Sequence, residues 1–162
     1  MAHGHKKPRT PRVLRDPITH ALLGATCLTQ TERASTLEPT HQCVGQLRRG
    51  TATEDHHTIV YSVLMIASGI EDTRIVRGLR THFADAMAAL DAIRQRATRS
   101  GAWLPTELYA QELAAITEAV RLHEFQLRHI SATELHQVAT KLALRTINNG
   151  GTVERRAAAC TT

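Results

Sequence analysis

The chain has 162 residues, 42% hydrophobic but only 3% aromatic, and a formal charge of +5. A chain of that length fits one domain that can bury about 70% of its unfolded surface around a single core without a covalent staple. Three scattered cysteines (Cys27, Cys43, Cys160) exclude a disulfide framework, and no CxxC pair announces structural zinc. The basic start lacks an apolar signal region, and no later stretch approaches the run of about 18 apolar residues that crosses a bilayer, so the expected setting is a reducing cytoplasm.

With Tyr61, Phe83, Trp103, Tyr109 and Phe125 as the only aromatics, the core must come from Leu, Ile, Val, Ala and Met, which favours closely packed helices. Residues 1–15 are rich in Gly, Pro, Lys, Arg and Thr without a period, and read as a disordered basic N-terminal arm. A single helical domain is expected over 16–151 and a polar tail over 152–162. Asp16-Pro17 caps a short helix ending at Gly24, with Ile18, Leu22 and Leu23 inward. Thr29 with Glu32 forms a capping box for a helix toward Arg49, which Pro39 is expected to kink or split. Gly50 to Thr53 is a connector. Thr53-Glu54-Asp55 then opens a helix whose buried face is Ile59, Val60, Val63, Leu64, Ala67 and Ile70, with Gly69 allowing a turn or bend.

From Glu71-Asp72 to Thr98, the spacing of Val76, Leu79, Phe83, Ala86, Leu90, Ile93 and Ala97 predicts a long central helix of about 26 residues, roughly 40 Å. A seam of that length predicts pairing with a second copy, a homodimer. Arg94, Arg96 and Arg99 suit its C-terminal end, and Ser100-Gly101 stops it.

A C-terminal helical hairpin is expected over 106–150. Tyr109, Leu113, Ile116, Val120, His123, Leu127 and Ile130 recur in 4-3 steps. Ser131 and Glu134 then form a capping box clasped by Ile130 and Leu135, and the second helix turns Leu135, Val138, Ala139 and Leu142 inward before Asn148-Asn149-Gly150-Gly151. No run alternates like a half-buried strand, so the fold expected is an all-α bundle of five or six helices.

Ten histidines raise the question of a metal. His56 and His57 are adjacent and diverge by about 100° on a helix, and His123 and His129 are six apart, so neither pair makes the i, i+4 clamp of an HExxH site. His123 interrupts an aliphatic stripe beside Glu124. It reads as a core histidine whose ring nitrogens find a carbonyl or carboxylate, in preference to a ligand or base. On that reading His123→Leu is neutral or stabilising. No GxSxG, P-loop, GxGxxG or DxDxDG occurs, so a non-enzymatic protein without cofactor is expected, with a small metal-dependent enzyme the weakest alternative.

For nucleic acid the candidate phosphate contacts are Lys6, Lys7, Arg9, Arg12 and Arg15. Arg74, Arg77 and Arg80 recur in threes on the expected long helix. The scarcity of aromatics argues against stacking on single strands.

The Gly50-Thr51-Ala52-Thr53-Glu54-Asp55 connector, the Gly69-Ile70 break, Leu122-His123-Glu124-Phe125-Gln126-Leu127 and the Asn-Gly-Gly terminus together resemble uncharacterised small helical proteins encoded in phages, prophages and mobile elements of Gram-negative bacteria. The resemblance spans about two thirds of the chain, from Thr51 to Gly151, and consists mostly of helix punctuation. It implies a small accessory protein that binds a host or phage macromolecule and carries over no catalytic residue. The leading expectation is therefore a protein-binding accessory factor, in regulation or anti-defence, with His123, Glu124, Arg74, Arg77 and Arg80 as candidate interaction residues. The alternative is DNA or RNA association through the basic arm.

Overall fold

A computed structural model describes residues 25–153. The expected arm, the short helix over 16–24 and the tail beyond 153 lie outside them. Among the described residues the chain is all-helical, with α1 at Gln30–Arg48, α2 at Glu54–Asp72, α3 at Arg80–Ala97, α4 at Ala110–Leu127 and α5 at Ala132–Asn148. No helix among them is long and apolar enough to cross a membrane.

Local chemistry starts three of the five helices as the capping residues dictate. Thr29 Oγ1 accepts the Glu32 N–H while the Glu32 carboxylate accepts the Thr29 N–H, and Ser131 with Glu134 repeats the exchange. At Thr53 the reciprocal partner is a ring nitrogen, His56 Nδ1, 3.0 Å from the Thr53 nitrogen. α1 passes through Pro39 as one helix, held by Leu37, Thr40, Cys43, Val44 and Leu47 buried on both sides of it. At the far end Gly150 takes φ +79, so that the Gly150 and Gly151 N–H groups close on the Ile147 and Thr146 carbonyls.

α2 is the centre of the bundle. It packs on each of the other four helices, whereas α5 packs on α2 alone. Val60, Leu64 and Ala67 join Phe83, Leu90 and Ile116 in the main core, and Ile70 joins Leu37, Leu127, Ile130 and Val138 in a second cluster beneath α5. Full burial of side chains of this size stabilises by about 1.5–3 kcal/mol each. The segment before α1 is pinned to the α4–α5 junction, with the Leu28 N–H donating to the Ile130 carbonyl over 3.2 Å.

Several expectations are corrected. The long central helix does not form: α2 ends at Asp72, Arg74 leaves the helix at φ +67, and α3 starts only at Arg80. The Glu71 side chain turns back and accepts the Gly78 and Leu79 N–H groups at 2.9 and 3.0 Å, capping α3 from the preceding helix where Leu79 offers no side-chain cap. The apolar spacing continues across the break because Val76 and Leu79 remain half-buried on the loop. Phe83, Ala86, Leu90, Ile93 and Ala97 are all buried within one chain, which removes the surplus seam on which pairing with a second copy was expected.

The hairpin also differs. The chain does break and restart at Ser131, but α5 lies along α2, with Gly69 permitting the close approach, and α4 and α5 meet only through the cluster of Leu127, Ile130 and Val138. Gly69 makes no bend. It lies within α2 where a Cβ would stand 2.9 Å from Val138 Cγ1 and 3.2 Å from Leu142 Cδ1. Finally, α4 starts at Ala110, so Tyr109 is an exposed N-terminal residue and the buried face includes Glu112 and Gln126.

The close approach predicts that Gly69→Leu lowers stability by about 1–3 kcal/mol, since the added side chain must displace Val138 and Leu142. A chemical denaturation curve measures it. An unchanged midpoint would contradict α5 seating on Gly69.

Candidate functional site

The interaction residues singled out by the sequence occupy separate places. Arg74 and Arg77 are exposed on the α2–α3 loop, and Arg80 begins α3, bonded to Asp72 at 2.7 Å. Glu124 faces outward and pairs with Arg128 at 3.2 Å. His123 points inward. The cations of residues 1–15 lie outside the described residues.

His123 is 2% exposed, and its Nδ1 lies 3.2 Å from Gln126 Oε1. The Gln126 amide donates from Nε2 to the Ala67 carbonyl of α2 at 3.0 Å, so Oε1 must be the acceptor and Nδ1–H the donor. The partner of the ring is thus a glutamine, fixed in turn by the central helix. Burial lowers the His123 pKa, against a smaller opposing effect of Gln126. His57, grouped with His56 in the sequence as a metal candidate, is a second core histidine. Its Nε2–H donates to the Leu90 carbonyl at 2.9 Å, its ring lies against Tyr61 and Trp103, and burial lowers its pKa too. Trp103 donates to the Ala52 carbonyl, fastening the α3–α4 loop over this ring.

Arg96 and Glu112 form a bidentate pair at 2.7 and 2.6 Å between α3 and α4, with the guanidinium 4.6 Å from the Tyr109 ring centre. Burial alone would raise the Glu112 carboxyl, but the Arg96 hydrogen bonds and the Tyr109 N–H bring it below the usual carboxylate value. The sequence offered Arg96 only as a helix-end cation. Its role depends on a partner on the next helix, which spacing along one helix does not reveal. Among the described residues no group of three His, Cys, Asp or Glu side chains is placed to hold a metal ion.

The surface carries several grooves, and one of them, lined by Thr73, Ile75, Glu134, Gln137, Val138 and Lys141, sets the Glu134 carboxylate on the same groove as Lys141. The groove between α1 and α4 is lined by Arg33, Glu38, His41, Glu124 and Arg128, so cations and carboxylates already face one another across it. The outer face of α5 is different. A shallow groove there is lined by His136, Gln137, Thr140, Lys141, Leu144, Arg145, Asn148 and Asn149. Leu144 is 56% exposed and the neighbouring Ile147 54%. No Asp or Glu occurs from Leu135 to Val153, and among the described residues neither Lys141 nor Arg145 pairs with a carboxylate. Residues 25–153 as a whole are formally neutral, with thirteen Lys and Arg against thirteen Asp and Glu, so this is a local imbalance.

The His123 geometry reverses the sign expected of His123→Leu. Leucine leaves Gln126 Oε1 buried without a donor, which costs about 1–3 kcal/mol at pH 7.5, and adding Gln126→Met recovers most of it. Buried, neutral histidines also make the wild type acid-sensitive. Unfolded, both rings take up protons near about pH 6.5, and folded they resist, so stability is complete above that value and is lost as pH falls below it. Urea midpoints at pH 7.5 and 5.5 test both points: the wild type falls with acid, and the double variant falls less. Equal midpoints for wild type and His123→Leu, or a wild-type profile flat across this range, would refute the assignment. Compared with known protein families, characterised proteins and solved structures, the chain matches none.

Proposed function

We propose that this chain is a non-enzymatic accessory protein that binds another protein through its helical surface, in the phage, prophage or mobile-element setting its sequence resembles. The supporting observation is the outer face of α5, where Leu144 and Ile147 stand exposed beside Lys141 and Arg145, which pair with no carboxylate among the described residues, on a helix that packs on α2 alone. Apolar side chains displayed in this way are what protein interfaces bury, and a few such anchors carry most of the binding energy. The two buried histidines, the residues most suggestive of chemistry, are engaged by a backbone carbonyl and a glutamine amide.

The second reading, nucleic-acid association, rests on Lys6, Lys7, Arg9, Arg12 and Arg15. With residues 25–153 formally neutral, the whole net charge of +5 falls in the segments outside them, +4 of it in residues 1–16.

The two readings separate in one experiment. The full-length protein and a variant with the five arm cations replaced by Gln are used as bait in a bacterial lysate, with and without nuclease. The expected result is capture by both baits that nuclease leaves intact. Capture abolished by nuclease and by the Gln variant, with duplex DNA binding whose log–log salt slope drops by roughly 0.9 for each phosphate no longer neutralised, would put the nucleic-acid reading first.

A further inference from the structure

Resting on the protein-binding reading, we propose that the outer face of α5 is the docking site of an acidic amphipathic helix of the partner protein. Gln137, Lys141, Leu144 and Asn148 follow one another at steps of four, three and four, so they form a ridge-and-groove line along the α5 axis. A line of this kind receives the 3-4 apolar stripe of another helix. An added strand finds nothing here, because the hydrogen-bonding backbone of α5 is consumed within the helix and at its glycine terminus.

The charges define the occupant. By helical rotation Lys141 and Arg145, one turn apart, share one rim of the line, and Ile147 lies beyond Leu144 on the other side. An incoming helix that sets aliphatic side chains on Leu144 and Ile147 therefore brings its flank against two cations, and carboxylates one turn apart on that flank match them. Arg80, Arg121 and Arg128 each have a carboxylate within the chain, whereas Lys141 and Arg145 have none among the described residues and stand beside exposed aliphatic side chains.

The same features weigh against the other occupants. A second copy meeting this face by two-fold symmetry would set a patch with cations and no carboxylate against itself, and like charges would oppose the association. A nucleic acid would use two cations at most and leave Leu144 and Ile147 in water, whereas phosphate binding calls for further Lys or Arg in place of aliphatic groups.

The test uses the full-length protein and two fluorescein-labelled helical peptides of about 18 residues, five turns, identical in their Leu stripe and flanked either by Glu or by Lys. Fluorescence anisotropy at physiological salt is expected to show saturable binding of the Glu-flanked peptide, about tenfold or more tighter than the Lys-flanked one. Leu144→Ser with Ile147→Ser should weaken it by a similar factor without shifting the melting temperature, because both side chains are exposed in the folded chain. Lys141→Glu with Arg145→Glu should invert the preference between the peptides. Equal affinity for both peptides, binding of neither, an unchanged preference in the charge-reversed variant, or a concentration-dependent dimer that Leu144→Ser with Ile147→Ser dissolves would each overturn the proposal. Nuclease-resistant capture of a lysate protein alongside failure of both peptides would sink this inference while leaving the protein-binding reading standing.

Discussion

The bundle depends on one helix that is covered, wholly or in part, at nearly every position over most of its length. From Ile59 to Glu71 only Ser62 is exposed, and the carbonyl of Ala67 within that stretch receives the Gln126 amide of α4. A helix apolar nearly all round has to be surrounded, and α1, α3, α4 and α5 are its surroundings. The polar contacts that cross the interior are few and directional: Gln126 to Ala67 fixes α4 against α2, and His57 to the Leu90 carbonyl fixes α2 against α3. Because an unmade buried hydrogen bond costs more than a made one contributes, such contacts select one register among the many that aliphatic packing would tolerate.

Glycine and glutamate then decide what the apolar spacing leaves open. Gly69 lets α5 lie directly on the central helix, which separates it from α4 despite a connection of a few residues. Glu71 accepts the Gly78 and Leu79 N–H groups just before α3, so the end of one helix and the approach to the next are a single hydrogen-bonded corner. The consequence for function is positional. α5 is attached along one side, and its far side carries aliphatic and cationic groups that the rest of the described chain does not use.

Much of the fold is legible in the sequence because its signals are local. The capping boxes at Thr29 and Ser131 need only residues three apart, and the inward stripes of α3 and α5 need only periodicity. The features that escape such a reading are non-local. The spacing from Val76 to Ala97 continues through a loop because periodicity is blind to a left-handed residue such as Arg74, and the end of α2 lies at Asp72, past the glycine expected to break it. The centrality of α2 is written in the sequence as well: Tyr61, Met65 and Ile66 fill the sides that a one-faced reading of Ile59, Val60, Val63, Leu64, Ala67 and Ile70 leaves blank. The candidate site is half legible. Its lack of carboxylates from Leu135 to Val153 is a property of the sequence, whereas the exposure of Leu144 and Ile147 follows from α5 meeting α2 alone.

The central claim is that α2 is held from all sides while α5 is an appended helix with a free outer face. Native-state hydrogen exchange resolved by residue tests it most directly. Amides around Val60, Leu64 and Ala67 are expected to exchange only through global unfolding, and those from Val138 to Ile147 through a separate opening of lower free energy. Equal protection of α5 and α2, or earlier exchange in α2 than in α5, would contradict it.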